Sequence, residues 1–376
     1  MVRLLYRQLT LRPLRTVLTA SALAAVVAVV LVLEGFNEGL VAQLGDAVRS
    51  RQADLIVTQA GVSNMIAARS VVPQFARREV EAIEGVAVAH PLTGIPLIYA
   101  EGERRTPIFL FVYEAGGGPL SLEAGHRPSA AREIVIDRSI ASKYDLLPGE
   151  KFVISGFEFR ISGISKDSAA FFTPFAFARY DDLIDFYFES DVAADISTFP
   201  LLSFLLVRLS DEADVGSVAA SVERRLPEVD VYLPEELAAR DEQLGRALFG
   251  PIMRLMISVG YIIGALVMGI VLFASVDARR REFGVLKALG FGQRYLNGLV
   301  LSEATVLALV AVPAGTALAV LIGQAIESLF PLYRILVLEP SALTRTAIAC
   351  VAFAAAGALI PVRLIRRLDP AMVFRG

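Results

Sequence analysis

The chain has 376 residues, of which 55% are apolar and 20% are charged, and its mean hydropathy is +0.59. This composition is too apolar for a water-soluble fold of this length, and it equally excludes a disordered chain. A net charge of −3 excludes the strongly basic surface that nucleic-acid binding requires. With one cysteine and two histidines, the sequence also excludes a disulfide framework and argues against a multi-histidine metal centre.

Four stretches are nearly free of charged residues, and each is long enough to cross the roughly 30 Å hydrocarbon core of a bilayer as a helix. The predicted transmembrane helices cover residues 15–36, 251–276, 296–330 and 341–362. Residues 37–250 have the mixed composition of a soluble domain. The sequence therefore predicts an α-helical membrane protein with four transmembrane helices and one large mixed α/β domain outside the membrane.

The N-terminal residues 1–14 interleave leucine with arginine, which favours an amphipathic helix on the inner membrane surface. The alternative for this region is a cleavable signal peptide. Against it, the apolar run is longer than a signal core, and Glu34–Asn37 contains no small-residue cleavage site. An uncleaved first span is the favoured interpretation.

The domain at 37–250 alternates strand-like and helix-like patterns. Strands are predicted at 86–99 and 106–112 and a helix at 214–226, and the order of elements indicates a small α/β part beside a strand-rich part. A helix beginning at Pro234 is expected to run directly into the second span.

Two segments of this domain allow a functional interpretation. Phe171–Phe177 is rich in phenylalanine; a buried core strand is favoured, and an apolar groove or lipid contact is the alternative. Asp181, Asp182 and Asp185 can be imagined as a cation site, but a solvated helix face is the favoured interpretation.

Small residues recur every four positions in the second and third spans, a spacing that lets helices approach closely in lipid. We predict that these positions pack against other helices: Gly260, Gly264, Ala311, Gly315, Ala319 and Gly323. Glu303 is the one carboxylate well inside a span. An intramembrane acid is a functional candidate, but pairing with Arg281 or Arg294 is the favoured interpretation.

Arginines and lysines are concentrated before the first span, in the loop 277–295 and in the tail 363–376, whereas the loop 331–340 contains only Arg334. Short cationic segments stay in the cytoplasm. Both termini and the loop 277–295 are therefore predicted to be cytoplasmic, and the domain at 37–250 to lie outside.

The loop 277–295 also contains a short amphipathic helix. Phe283, Leu286 and Leu289 recur at every third position and form a narrow apolar stripe, and Gly290 suits the end of the helix. A simple cationic anchor needs no such stripe. The pattern therefore predicts docking into the groove of a protein partner.

Motifs of common catalytic sites are absent from the sequence. It contains neither the phosphate loop G-x-x-x-x-G-K-[ST] nor the nucleophile motif G-x-S-x-G. We therefore predict no catalytic residue, no metal site and no nucleotide bound through a phosphate loop.

The run Arg281–Gly290, leading into Ser302-Glu303-Ala304, resembles the coupling segment of the FtsX-like permease family, the MacB, LolC and DevC type of ABC transporter (type VII). Leu11–Thr19 and Leu368–Ala371 resemble the beginning and the end of that family. Phe283 stands where the family more often has isoleucine. The four-span layout with a large domain after the first span also matches, so the resemblance covers the whole chain.

The resemblance implies a MacB-like periplasmic domain and a non-catalytic permease subunit in the bacterial inner membrane. Such a subunit dimerises with a second copy or a paralogue and binds two copies of a cytoplasmic ABC ATPase, which holds the ATP and magnesium. A periplasmic adaptor is a further partner that the resemblance allows. It assigns the ATPase contact to the coupling segment, in which the predicted residues are Arg281, Glu282, Phe283, Gly284, Leu286, Lys287 and Gly290.

ATP hydrolysis would then move the external domain and drive export or extraction of an envelope substrate. The sequence leaves open whether that substrate is a lipid, a lipoprotein, a peptide or a drug. One alternative is an FtsX-like signalling subunit that controls an envelope hydrolase without transport. A membrane-tethered receptor without any ATPase is another.

Overall fold

The computed structural model of the chain describes residues 13–66, 68–191 and 202–366. The predicted N-terminal amphipathic helix falls almost entirely outside the described residues, and so does the end motif Leu368–Ala371. The chain divides into two compact units. The helical unit comprises Met1–Gly39, Phe249–Leu329 and Ile335–Gly376, and the sheet unit comprises Leu40–Leu248 and Phe330–Arg334.

Nine α-helices occur in the described residues. They are α1 (Pro13–Arg49), α2 (Ala76–Glu81), α3 (Arg138–Tyr144), α4 (Leu183–Glu189), α5 (Val215–Arg225), α6 (Pro234–Asp277), α7 (Arg280–Ala288), α8 (Gln293–Leu329) and α9 (Pro340–Arg366). Four of them, α1, α6, α8 and α9, are long and apolar enough to cross a membrane. The predicted class of a four-span membrane protein is confirmed.

Among the described residues, eleven strands form the sheet of the sheet unit. They are β1 (Leu55–Gln59), β2 (Val86–Glu101), β3 (Arg104–Tyr113), β4 (Ser121–Gly125), β5 (Glu133–Asp137), β6 (Lys151–Ile154), β7 (Phe157–Lys166), β8 (Ala169–Ala170), β9 (Thr173–Arg179), β10 (Phe204–Leu209) and β11 (Val229–Tyr232). Their order is β11-β1-β10-β2-β3-β9-β5-β7-β4, with β6 beside β7 and β8 beside β9. Two pairs are parallel, β3 with β9 and β5 with β7.

The expected division into a small α/β part and a separate strand-rich part is wrong, because β2 and β3 pair along ten residues and join both halves into one sheet. Helices pack on the buried apolar side chains of these strands. α3 and α4 pack on the β5–β7–β9 half, and α2 and α5 pack on the β1–β10–β11 half. Leu44 of α1 and Leu237 of α6 belong to a third core cluster of the same unit.

The predicted core strand at Phe171–Phe177 is confirmed from Thr173 onward, within β9, in which Phe175 and Phe177 are buried, but Phe171 and Phe172 lie in the turn before that strand. The interpretation of Asp181, Asp182 and Asp185 as one solvated face is wrong for Asp182, which is 4% exposed. In the described part of the chain, no three histidine, cysteine or acidic side chains are placed to share a metal ion.

The helical unit has its own core, to which α1, α6, α8 and α9 contribute. α6 runs unbroken from Pro234 to Asp277, as the sequence predicted. α8 continues through Pro313, although proline removes one backbone hydrogen bond of the helix. α1 and α6 each contribute residues to both units.

Candidate functional site

The segment between α6 and α8 contains the short helix α7, which ends in a defined way. Gly290 has φ of +88°, the left-handed conformation that glycine adopts without a steric penalty. The backbone N–H of Phe291 donates to the carbonyl of Leu286 at 3.1 Å, which is the long bond of a Schellman motif. Gly290 therefore ends the helix, as predicted, and turns the chain toward α8.

The inner face of α7 packs into the helical unit. Phe283 is 2% exposed, Gly284 is buried, and Leu286 is half-buried against the same core. The predicted stripe is therefore divided. Phe283 and Leu286 find their apolar surroundings within the chain, and the expectation that Phe283 contacts a partner directly is wrong for this reason.

The outer face of α7 and of the turn after it remains exposed. It presents three large apolar side chains, Val285 (43% exposed), Leu289 (71%) and Phe291 (42%). Of the predicted contact residues, Arg281, Glu282 and Gly290 are exposed and Lys287 is half-buried. We call Arg281, Glu282, Val285, Leu289 and Phe291 the outer face.

A buried ion pair connects the helices on either side of α7. Arg279 donates to the Glu303 carboxylate, and the two side chains are only 8% and 11% exposed. Ser275 Oγ donates to Glu303 Oε1 at 3.1 Å, and the Arg279 guanidinium carbon lies 5.8 Å from the centre of the Phe283 ring. Glu303 thus pairs with a cation, but with Arg279 rather than Arg281 or Arg294.

The small residues of the spans lie at close approaches within the helical unit. A Cβ added at Gly315 would lie 2.6 Å from Val27 Cβ and 2.7 Å from the carbonyl oxygen of Ala24. At Gly264 it would lie 2.8 Å from Val26 Cγ1, whereas at Gly260 its nearest neighbour would be 3.5 Å away. A Cβ at Gly323 would be 3.3 Å from Val337, and Ala311 and Ala319 are fully buried.

A second charged cluster lies in the helical unit, and sequence reasoning missed it. Arg345 donates to Glu34 at 2.5 Å and lies 3.7 Å from Glu38, and Tyr261 donates to Glu34 at 3.2 Å. The signal was present in the sequence, since Glu34 ends one apolar stretch and Arg345 interrupts another. Opposite charges in two spans are expected to pair because an isolated charge in lipid is costly.

The sheet unit contains an arginine that no sequence pattern indicated. Arg51 is 1% exposed, donates to the carbonyl oxygens of Ala47 and Gly117, and lies 4.1 Å from the centre of the Phe111 ring. Burial lowers the pKa of Arg51 to about 9. Through these hydrogen bonds Arg51 fastens the end of α1 to the loop after β3 that contains Gly117.

The turn between β8 and β9 is strained. Ala170 pairs with Thr173, so Phe171 and Phe172 form a two-residue hairpin turn, and their φ angles are +51° and +58°. Turns of this kind favour Asn-Gly, because both central residues need positive φ. Each phenylalanine therefore costs about 1–2 kcal/mol in backbone strain.

Two family models match the chain. Residues 16–225 match the MacB-like periplasmic core domain, and residues 254–370 match the FtsX-like permease C-terminal region. Together with the four apolar helices and the mixed sheet, these matches define a multi-pass membrane permease. The chain belongs to the MacB/FtsX-type family of ABC transporter permeases, as its resemblance predicted.

Relatives and solved structures are similar over long stretches. An uncharacterized ABC transporter permease of Mycobacterium tuberculosis strain H37Rv is 23% identical over 382 residues, and one of Mycobacterium bovis is 26% identical over 380 residues. Each alignment covers 98% of this chain and 98% of the relative. The periplasmic region of MacB from Actinobacillus actinomycetemcomitans is 12% identical with a TM-score of 0.36, covering 52% of this chain and 95% of that chain. The extracellular domain of the transporter YknZ from Gram-positive bacteria is 12% identical with a TM-score of 0.35, covering 48% and 100%.

Proposed function

We propose that the chain is the permease subunit of an ABC transporter in a bacterial inner membrane and that it transmits movement. A separate cytoplasmic ATPase would bind the loop 277–295, and its cycle of ATP hydrolysis would displace the helical unit. The displacement would reach the sheet unit on the periplasmic side and drive export or extraction of an envelope substrate.

The observation that carries this proposal is the outer face of α7. Val285, Leu289 and Phe291 expose apolar area within a basic loop that the distribution of arginine and lysine assigns to the cytoplasm. Exposed apolar side chains rimmed by charge are typical of protein interfaces. The inner face supports the same role, because Phe283 and the Arg279–Glu303 pair hold α7 against its own helices.

Transmission to the sheet unit has a covalent basis. α1 and α6 each contribute to both units, and α6 is a single helix from Pro234 to Asp277, although Pro251 removes one of its backbone hydrogen bonds. A helix transmits an axial displacement because its hydrogen-bonded turns resist compression. We further propose that the permease works as a dimer with two ATPase copies, and that ATP and magnesium belong to the ATPase.

The test is Leu289→Asp, compared with Leu147→Asp. Both leucines are similarly exposed, at 71% and 62%, but Leu147 lies in the sheet unit. A charge at the centre of an interface is expected to cost at least about 2 kcal/mol of binding, or roughly thirtyfold in affinity. We expect Leu289→Asp alone to lose the co-purifying ATPase and the permease-dependent ATP hydrolysis.

Membrane insertion should be unaffected in both variants, because the loop stays cationic and the spans are unchanged. Full retention of the ATPase by Leu289→Asp would refute the assignment of the outer face. Loss of the ATPase in Leu147→Asp as well would show that the effect is not specific to the outer face, and it would refute the location of the ATPase contact on α7.

A further inference from the structure

An aromatic cluster extends from the strained turn of the sheet unit to the segment 330–334. The Phe172 and Tyr333 ring centres are 6.0 Å apart, and those of Tyr333 and Phe330 are 6.2 Å apart. Gln43 donates to the carbonyl of Leu332 at 3.0 Å and so fastens this segment to the same unit. Phe330 is nonetheless 56% exposed.

Phe171, the other half of the turn, lines an apolar cavity in the same unit. The cavity has a volume of about 220 Å³, and its wall includes Ile66, Phe109, Phe175 and Leu248. Ligand pockets for drug-sized molecules measure about 300–1,000 Å³. This cavity is smaller than that and almost wholly apolar, which suits a single alkyl chain.

The position of these residues in the sequence identifies the source of such a chain. Leu248 is 53% exposed and lies in α6 three residues before the predicted span 251–276, and Phe330 directly follows Leu329, the last residue of α8. The rim of the cavity and the end of the aromatic cluster are therefore continuous in the chain with segments that meet lipid. Tyrosine, which the cluster contributes at position 333, is enriched at membrane–water interfaces.

The strain at the turn supports a role beyond folding. An Asn-Gly turn would form the same hairpin without strain, yet the chain places two phenylalanines there. Strained backbone persists where the surrounding structure holds it and is concentrated at functional sites. In this strained conformation the Phe171 ring lies in the cavity wall and the Phe172 ring lies against Tyr333.

We propose that the Phe171–Phe172 turn and the adjoining cavity bind one alkyl chain of a phospholipid from the outer leaflet of the membrane. The proposal rests on the proposed function only in placing the sheet unit on the outer side. The alkyl chain would occupy the space between Phe171, Phe109 and Ile66.

The chain has no tryptophan, so a single introduced tryptophan reports on its surroundings alone. Phe171→Trp would be reconstituted as the full chain into phosphatidylcholine vesicles with brominated acyl chains, which quench tryptophan on contact. Phe188→Trp serves as the comparison, because Phe188 is 72% exposed on α4 and lies outside the cavity. We expect Phe171→Trp to lose most of its emission and Phe188→Trp to keep it.

A second substitution tests whether the cavity itself holds the chain. Ile66→Asp in the Phe171→Trp background should restore emission, because a carboxylate in the cavity wall excludes alkyl groups. Ile98→Asp is the matched control, since Ile98 is exposed on β2 outside the cavity, and it should leave the quenching unchanged. If Ile66→Asp lowers the thermal unfolding midpoint strongly, Ile66→Gln with Ile98→Gln replaces the pair.

Equal emission from Phe171→Trp and Phe188→Trp would overturn the proposal. Quenching of Phe171→Trp that persists in the Ile66 variants would also overturn it, because the ring would then meet lipid without an occupied cavity. ATPase stimulation measured on the same samples separates the two proposals. Lost stimulation with intact quenching counts against the ATPase coupling alone, and intact stimulation without quenching counts against the lipid site alone.

Discussion

Asp137 illustrates how one buried residue sets the response of the sheet unit to pH. It is 1% exposed, caps α3 by accepting from the backbone N–H of Ser139 at 2.9 Å, and accepts from the N–H of Ser168 at 3.1 Å. These hydrogen bonds favour the carboxylate, but burial has the larger effect and raises the pKa of Asp137 to about 6. The folded state therefore binds a proton that the unfolded state releases near pH 4.

We predict that Asp137→Asn removes a pH-dependent part of the stability. Because the folded-state pKa lies above the unfolded value, the contribution is fully present below pH 4 and is lost as the pH rises through 6. The stability of the wild type relative to the variant should fall by up to about 3 kcal/mol between pH 4 and pH 7. Thermal unfolding of the full chain in detergent, followed by tyrosine fluorescence, measures this difference. A constant offset across that range would contradict the assignment.

Local sequence signals predicted some of these residues and missed others. Gly290 was predicted to end α7 because a left-handed stop is a property of a few consecutive residues. Glu303 was predicted to pair with a cation, but spacing along the chain did not select Arg279 over Arg281, because the choice depends on how α6 and α8 face each other. Arg51 had no signal at all, since its phenylalanine neighbours lie far away in sequence.

At the scale of the element, α7 shows the limit of periodicity. The spacing of Phe283, Leu286 and Leu289 indicated which residues share a stripe, but it contains no information about what covers that stripe. In the structure the first two contact the chain's own helices and only Leu289 is exposed. The predicted coupling segment therefore divides into an inner face that packs within the chain and an outer face that is exposed.

The packing of α1 against α6 and α8 leads to a prediction for two glycines. Gly315→Ala adds a single carbon that would lie 2.6 Å from Val27 Cβ and 2.7 Å from a backbone oxygen, so α1 must shift. We expect a loss of about 1–3 kcal/mol of stability, typical of overpacking. Gly260→Ala is the matched control, because its added carbon meets only ordinary contacts at 3.5 and 3.6 Å.

In detergent-solubilised full chain, Gly315→Ala should lower the thermal unfolding midpoint. Gly260→Ala should leave it unchanged or raise it slightly, because alanine has the higher helix propensity, by about 1 kcal/mol. Equal effects of the two substitutions would show that the close approach at Gly315 does not limit the packing of α8.

At the scale of the whole molecule, the distribution of charge predicts the orientation in the membrane, and this prediction can be tested with thiols. Cys350 is the only cysteine and is buried, so a Cys350→Ser chain is a clean background. Cysteines at Ser129 and Ser217, which are exposed in the sheet unit, should react with an impermeant reagent on spheroplasts. A cysteine at the exposed Ala278 should react only after lysis. Labelling of Ala278 on intact spheroplasts would reverse the proposed topology.

The four spans and the mixed α/β class were predictable because span length and composition are local properties. The sheet order was not, because β1 pairs with β10 and β11 near the other end of the domain. Nothing in the alternation of β2 indicates that it lies between β10 and β3. The strained turn was missed although it is a local feature. Its two central residues are Phe171 and Phe172, and neither is the Asn, Asp or Gly that marks a two-residue hairpin turn.

The pairing of β1 with β11 has a consequence for the biogenesis of the permease. Val57 pairs with Val231, so β1 lacks its β11 partner until nearly the entire domain has been synthesised. Until then, α1 is anchored while β1 offers an open edge of the apolar residues Leu55, Ile56 and Val57. Open strand edges pair with other chains and make folding intermediates prone to aggregation. The sheet unit is therefore an expected client of chaperones in the compartment where it folds, and the arrival of β11 just before α6 ends that exposure.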